Sequence, residues 1–139
     1  EDLAQPLLLV GTSTGLAPLY GVLRDALNQG HHGEIHLCHG ALDLSGLYLV
    51  DELSQLAADN ENFFYHPSVV KGDDVLAENI EVGPVDELAM TIAEDFKAFR
   101  IFLCGAPDLV ASLKKKAFMQ GANMKNIYAD PFLPPAKKD

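Results

Sequence analysis

With 139 residues, 48% of them apolar and 22% charged, the chain has enough material for one domain with a single core and too little for two. Twenty acidic against ten basic residues leave a net charge of −10, which repels a phosphodiester backbone and argues against nucleic acid as a partner. No apolar run approaches the roughly 20 residues of a membrane span, and the opening EDLAQP lacks the basic start and apolar core of a secretory signal, so a soluble, cytoplasmic protein is expected.

The elements alternate along the chain. PLLLVG (6–11) is a continuous apolar run, as in a strand buried on both faces, and LAPLYGVLRDALNQG (16–30) then spaces its apolar residues as a helix does and stops at Gly30. EIHLCHG (34–40) and GLYLVDELSQLAADN (46–60) repeat the pairing, with Leu49, Leu53 and Leu56 on one helical face. NFFYHPSVV (62–70) is a third strand, and after a polar connection GPVDELAMTIAEDF (83–96) is a third helix with Pro84 in its first turn, where a missing N–H costs nothing. RIFLCG (100–105) with APDLVASLKKKAFMQG (106–121) is the fourth pair, Gly121 standing as its C-cap, and NIYAD (126–130) is a last short strand. Four such alternations predict an α/β fold with a parallel sheet, right-handed crossovers and helices on both faces. The Pro-rich, charged end (131–139) reads as an extended tail of a single domain, 1–139. The chain has no initiator Met and enters its first strand at once, so it is expected to be a piece of a longer protein. Cys38 and Cys104 both lie in strand-like runs, which suits reduced thiols.

Such sheets bind ligands beyond the carboxyl ends of their strands. Two loops there stand out. GTSTG (11–15) has glycines at both ends, three hydroxyls between them and a helix after it, which fits either a phosphate cradle or a turn whose Ser and Thr cap the helix. It meets neither GxGxxG nor the P-loop pattern. CGAPD (104–108) sets a small thiol at a strand end beside a glycine; taken alone, that Cys reads more readily as a core residue than as a functional one.

Together the loops carry a resemblance. GTSTGLAPL resembles the GTGTGLAPL segment of the ferredoxin-NADP reductase family, and IFLCGAPDLVASLKKKAFMQG is similar to that family's CGPPxM strand, loop and helix. The segment between them, with its Gly-Ala turn and its DEL helix, also resembles the family in order and spacing. The resemblance spans nearly the whole chain and implies the family's pyridine-nucleotide domain, a five-stranded parallel sheet of order 3-2-1-4-5. It further implies that Gly11, Thr12, Ser13, Thr14 and Gly15 hold the pyrophosphate and nicotinamide ribose of NAD(P)H. Ser13 stands where the family pattern has Gly. Cys104 is implied as the catalytic residue that orients the nicotinamide, with Gly105, Ala106 and Asp108 around it. Ala106 and Leu109 replace the Pro and Met of the pattern.

The loop GALDL places Gly40, Ala41 and Asp43 on the adenosine side, with Leu42 where Arg is common in members selective for the 2′-phosphate. A carboxylate there repels a 2′-phosphate, which favours NADH, although Lys71 is a possible counterweight. In the resembling family a barrel carrying FAD or FMN precedes this domain, and no segment here corresponds to it. Phe132 of DPF (130–132) resembles the terminal aromatic that packs near the flavin, or else it closes the core. The implied function is hydride delivery from nicotinamide to that flavin, with onward transfer to an iron-sulfur or similar acceptor. The alternative is a nucleotide-binding or interaction module that kept the fold without redox work.

Other groupings are weaker. HHGEIHLCHG supplies His31, His32, His36, Cys38 and His39, but strand alternation separates His36 and Cys38 from His39, so no metal site is expected. LKKKAF reads as a solvated helix face that could also meet an acidic redox partner. Ser13 and Ser45 have no His and Asp at the spacing of a hydrolase triad.

Overall fold

The computed structural model describes residues 3–12, 16–41, 47, 49–70, 81–83, 85–92 and 96–131. The elements are β1 (Leu7–Thr12), α1 (Leu16–Asn28), β2 (Ile35–Ala41), α2 (Val50–Asp59), β3 (Phe63–Val69), β4 (Glu81–Val82), α3 (Val85–Ile92), β5 (Arg100–Gly105), α4 (Pro107–Met119) and β6 (Ile127–Pro131). They form one sheet of order β4-β3-β2-β1-β5-β6, with every neighbouring pair parallel. The five longer strands therefore follow the expected 3-2-1-4-5 order. The two-residue β4, beside Ser68 and Val69, extends it at one edge.

Strand alternation sends β1 side chains to two cores. Leu7 and Leu9 join Leu16, Leu19 and Leu23 of α1, Leu53 of α2, and Ile35, Leu37 and Phe63 of the sheet. Leu8 and Val10 join Val85 and Ala89 of α3 and Val110, Leu113 and Ala117 of α4 on the other face. β1 is thus buried on both sides, which is why its sequence shows no polar alternation.

One helix starts later than its periodicity implies. α2 starts at Val50 rather than at 46, because Leu49 adopts a left-handed φ of 63° and blocks a helical turn before it. The Leu53 N–H still donates to the Leu49 carbonyl at 2.8 Å. α3 is described over Val85–Ile92, and a 3-10 turn over Phe96–Ala98 leads into β5. Gly30 (φ 81°) and Gly121 (φ 98°) follow α1 and α4 in left-handed geometry, as their positions implied. Pro84 and the tail from 132 onward lie outside the described residues.

Candidate functional site

The carboxyl ends of the middle strands consist of small residues, and register brings them level. Gly11 pairs with His39 on one side and Cys104 on the other, Thr12 pairs with Gly40, and Gly105 pairs with Pro131. Chain order reverses at this point: after β1 the chain steps outward through β2 and β3, then crosses back to place β5 on the other side of β1. That reversal is where a sheet of this type opens a crevice. Gly11, Thr12, Gly40, Ala41, Cys104 and Gly105 therefore share one edge, with Ala106 and Asp108 following at the start of α4. Ser13, Thr14, Gly15, Asp43 and Phe132 lie outside the described residues.

Thr12 and Gly105 are in close contact. Gly105 has φ 132°, and a Cβ there would stand 2.6 Å from Thr12 Oγ1 and 3.1 Å from the Thr12 nitrogen. The Ala106 N–H donates to Thr12 Oγ1 across a long 3.4 Å. A hydroxyl that accepts in this way keeps its own O–H to donate. Gly40 has a packing role, because a Cβ on it would fall 2.6 Å from Val85 Cβ at the first residue of α3.

Cys104 is 2% exposed, and its side chain packs in the α1-side core with Leu9, Leu16 and Leu37. Neither Cys104 nor Cys38 forms a disulfide. Burial holds the Cys38 thiol far above its ordinary pKa, which keeps it a neutral core group. His39, fully buried, is the register partner of Gly11 on the side opposite Cys104. Alternation puts Gly11, His39 and Cys104 on the α1 side, and Gly11 contributes no side chain between the other two. Sequence reasoning weighed His39 only as a metal ligand. Its position two residues after Leu37 on a core-facing strand was the signal for this placement.

The electrostatics of the four helix starts differ. α2 opens with Asp51 and Glu52, α3 with Asp86 and Glu87, and α4 with Asp108, whereas α1 has no acidic residue in its first turn. A helix start carries about half a positive charge, and a carboxylate in the first turn neutralises it. Lys116 of α4 bonds Asp86 at 2.9 Å and holds that carboxyl below its ordinary pKa. Among the described α-helices, α1 alone has no carboxylate in its first turn.

The histidines of β2 and β3 have partners of their own. His36 Nδ1 and His66 Nε2 are 3.0 Å apart, and His36 Nε2 lies 3.1 Å from Glu34 Oε1. Because an ionised carboxylate only accepts, His36 donates from Nε2 to Glu34 and accepts at Nδ1 from the His66 N–H. Burial and the neighbouring His36 push His66 down to about 4. His36 also meets Phe99 of the α3-side core, where Cys38 lies, so the two faces separate as alternation requires. Among the described residues no three such side chains converge as metal ligands. Nor is any described helix long and apolar enough to cross a membrane.

Residues 9–115 match the oxidoreductase NAD-binding domain family. The chain is 33% identical over 129 residues to the ferredoxin–NAD(P)(+) reductase component of a naphthalene 1,2-dioxygenase system from Pseudomonas putida, covering 93% of this chain and 39% of that protein. It is 32% identical over 134 residues to a probable flavin reductase of Vibrio harveyi, covering 95% of this chain and 56% of that one. Among solved structures, an Amycolatopsis cytochrome P450 reductase superposes with a TM-score of 0.87 at 25% identity, over 98% of this chain and 40% of its own. A ferredoxin NADP+ reductase from Neisseria gonorrhoeae with bound FAD and NADP superposes with a TM-score of 0.77 at 18% identity, over 92% of this chain and 56% of its own, a likeness of fold. The chain thus spans between two fifths and just over half of the length of these relatives.

Proposed function

The chain belongs to the family of oxidoreductase NAD-binding domains, and on that premise we propose that it binds NADH across β1 and β5 as one domain of a larger flavin-dependent reductase. The observation that carries the reading is the start of α1: it rises from Gly11 and Thr12 at the strand-order reversal, and no carboxylate competes there for an anion. In this reading Gly11, Thr12, Ser13, Thr14 and Gly15 hold the pyrophosphate. Thr12 donates its hydroxyl hydrogen to a phosphate or ribose oxygen while accepting from Ala106. Gly40, Ala41 and Asp43 face the adenosine. The acidic start of α2 (Asp51, Glu52), just beyond that loop, disfavours a 2′-phosphate and supports NADH over NADPH.

Bound nicotinamide supplies a hydride that a flavin, FAD or FMN, held by a preceding domain of the same protein would accept. This chain's part is to bind and orient. Cys104 would form the buried floor beneath the nicotinamide, Gly105 keeps the space beside it free of a side chain, and Asp108 follows in the first turn of α4. In this reading Phe132 serves the contact with the flavin-carrying domain. Onward transfer goes to an iron-sulfur or similar acceptor, a role for which the Pseudomonas relative, a ferredoxin–NAD(P)(+) reductase component, is the precedent.

Titration of the isotope-labelled chain with NADH and with NADPH, read by backbone amide shifts, tests this. The amides of Gly11, Thr12, Cys104 and Gly105 are expected to shift saturably, with NADH the tighter ligand. If neither cofactor moves them at millimolar concentration, the cofactor assignment fails.

A further inference from the structure

At the opposite edge of the sheet a cavity of about 190 Å³ lies between the last turns of α1 and the first residues of β1 and β5. Its Leu7 is the register partner of Arg100, whereas Gly11 and Cys104 pair four residues further along the same strands, roughly 13 Å away at about 3.3 Å per residue. The cavity is therefore separate from the proposed cofactor edge.

Its walls are of two kinds. Leu7, Val22 and Phe102 form an apolar side, and Phe102 is stacked on Tyr128 with ring centroids 4.9 Å apart and planes within 15°, so its face is held in place. Arg100 and the buried His31 form a basic side. The turn carrying His31 is pinned, since its N–H donates to Ala26 O at 3.0 Å and its carbonyl accepts from Asn62 Nδ2 at 3.0 Å. The rim is acidic: exposed Asp25 accepts from Gln29 Nε2 at 3.0 Å.

We propose that this cavity binds a small monocarboxylate with a flat apolar body, its carboxylate toward Arg100 and its body against Phe102. A guanidinium keeps its charge at every accessible pH and can meet a carboxylate with two hydrogen bonds. Asp25 at the mouth repels the anion and so sets the orientation, carboxylate inward. The volume lies below the roughly 300–1,000 Å³ of pockets for drug-sized ligands, which limits the occupant to about the size of benzoate.

The test is an amide-shift titration of the labelled chain with benzoate, benzamide and acetate in turn. Benzoate is expected to shift Leu7, His31 and Phe102 saturably and to leave Gly11 and Cys104 still. Benzamide, which lacks the charge, and acetate, which lacks the ring, are each expected to bind about tenfold more weakly. Asp25→Asn, an exposed change that spares the fold, is expected to tighten benzoate about two- to threefold, and Arg100→Gln to weaken it about tenfold. Arg100→Gln is read only where NADH still moves Gly11 in that variant, or else where the variant keeps the wild-type amide spectrum. The proposal is overturned if benzoate gives no saturable shift in the wild type, if it moves Gly11 and Cys104 instead, if benzamide equals it, or if Asp25→Asn leaves its affinity unchanged.

Discussion

Helices α1 and α4 both start at the carboxyl edge of the sheet, from adjacent strands and on opposite faces, yet their first turns are built differently. α4 has Pro107 at its start, which removes one N–H, and Asp108 in its first turn, which complements the positive end of the helix. The amide of its cap residue, Ala106, is directed at Thr12 Oγ1. α1 also has a proline in its first turn, Leu16, Ala17 and Pro18, but no acid. The positive end of α4 thus meets a carboxylate in its own first turn, and that of α1 does not. Such an end is worth about 0.3–1 kcal/mol to an exposed charge, and more where several amides converge on one anion.

The largest expected effect comes from the contact that joins the two helix starts. Gly105→Ala places a Cβ 2.6 Å from Thr12 Oγ1 in a backbone geometry that L side chains resist. It should lower stability by about 2 kcal/mol in urea unfolding and NADH affinity more than about tenfold, because Thr12 must move. Gly121→Ala is the control: its φ of 98° is also left-handed, but the nearest atom to a Cβ there is Lys97 Cγ at 3.6 Å. That variant should lose about 1 kcal/mol of stability and keep its cofactor affinity. Equal cofactor binding by Gly105→Ala and the wild type would separate Gly105 from the site.

Next in size is Ala17→Asp, which gives α1 the acidic first turn that α4 already has. Ala17 is exposed, so the fold should tolerate the change, and the helix should gain about 0.5 kcal/mol in the absence of ligand. NADH affinity should fall about tenfold through repulsion of the pyrophosphate. Greater stability with undiminished affinity would mean that α1 does not face the phosphates.

The fold was legible because its signals are local. Apolar runs marked the strands, and Gly30 and Gly121 marked helix ends that the structure shows in left-handed geometry. Leu49 was not legible as a helix boundary, since nothing in a leucine announces a positive φ; the tertiary fit of its side chain against the α1-side core accompanies that geometry. At the edge, the pairing of GTSTG with CGAPD followed from their resemblance to known loops, whereas the Thr12 to Gly105 contact and the His39, Gly11, Cys104 row needed register between strands far apart in sequence. The same holds for His36 and His66, read as separate residues until β2 and β3 set them 3.0 Å apart. Gly40 shows the converse: read as a ligand residue, it also admits Val85 of α3.

Acid titration distinguishes the cofactor edge from that histidine pair. In the folded chain His66 titrates at about 4, against 6.5 ordinarily, so as pH falls the unfolded chain takes up its proton first. Stability should therefore decline from about pH 6.5 to pH 4 and then level off, by about 1–2 kcal/mol after discounting for the solvent exposure of the ring. His66→Gln should flatten that slope. NADH affinity should stay flat between pH 8 and 6.5 in both proteins, because the first turn of α1 carries no titrating acid. His66→Gln should also leave NADH affinity at pH 7 unchanged, and a loss there would tie the pair to the site.

The smallest effect is the sharpest on the comparison itself. Asp108→Asn removes the carboxylate from the start of α4, and the helix should lose about 0.5 kcal/mol. If the pyrophosphate lies at α1, the lost carboxylate is at the wrong helix to matter greatly, and NADH should bind within about twofold of the wild type, the residual gain coming from longer-range relief of repulsion. If instead NADH tightened by about tenfold, α4 would be the helix whose N-terminus receives the phosphates, and the roles of the two helix starts would be exchanged. Measured with the same cofactor at the same ionic strength, a tenfold loss in Ala17→Asp with Asp108→Asn near the wild type places the phosphates at α1, and a tenfold gain in Asp108→Asn with Ala17→Asp near the wild type places them at α4.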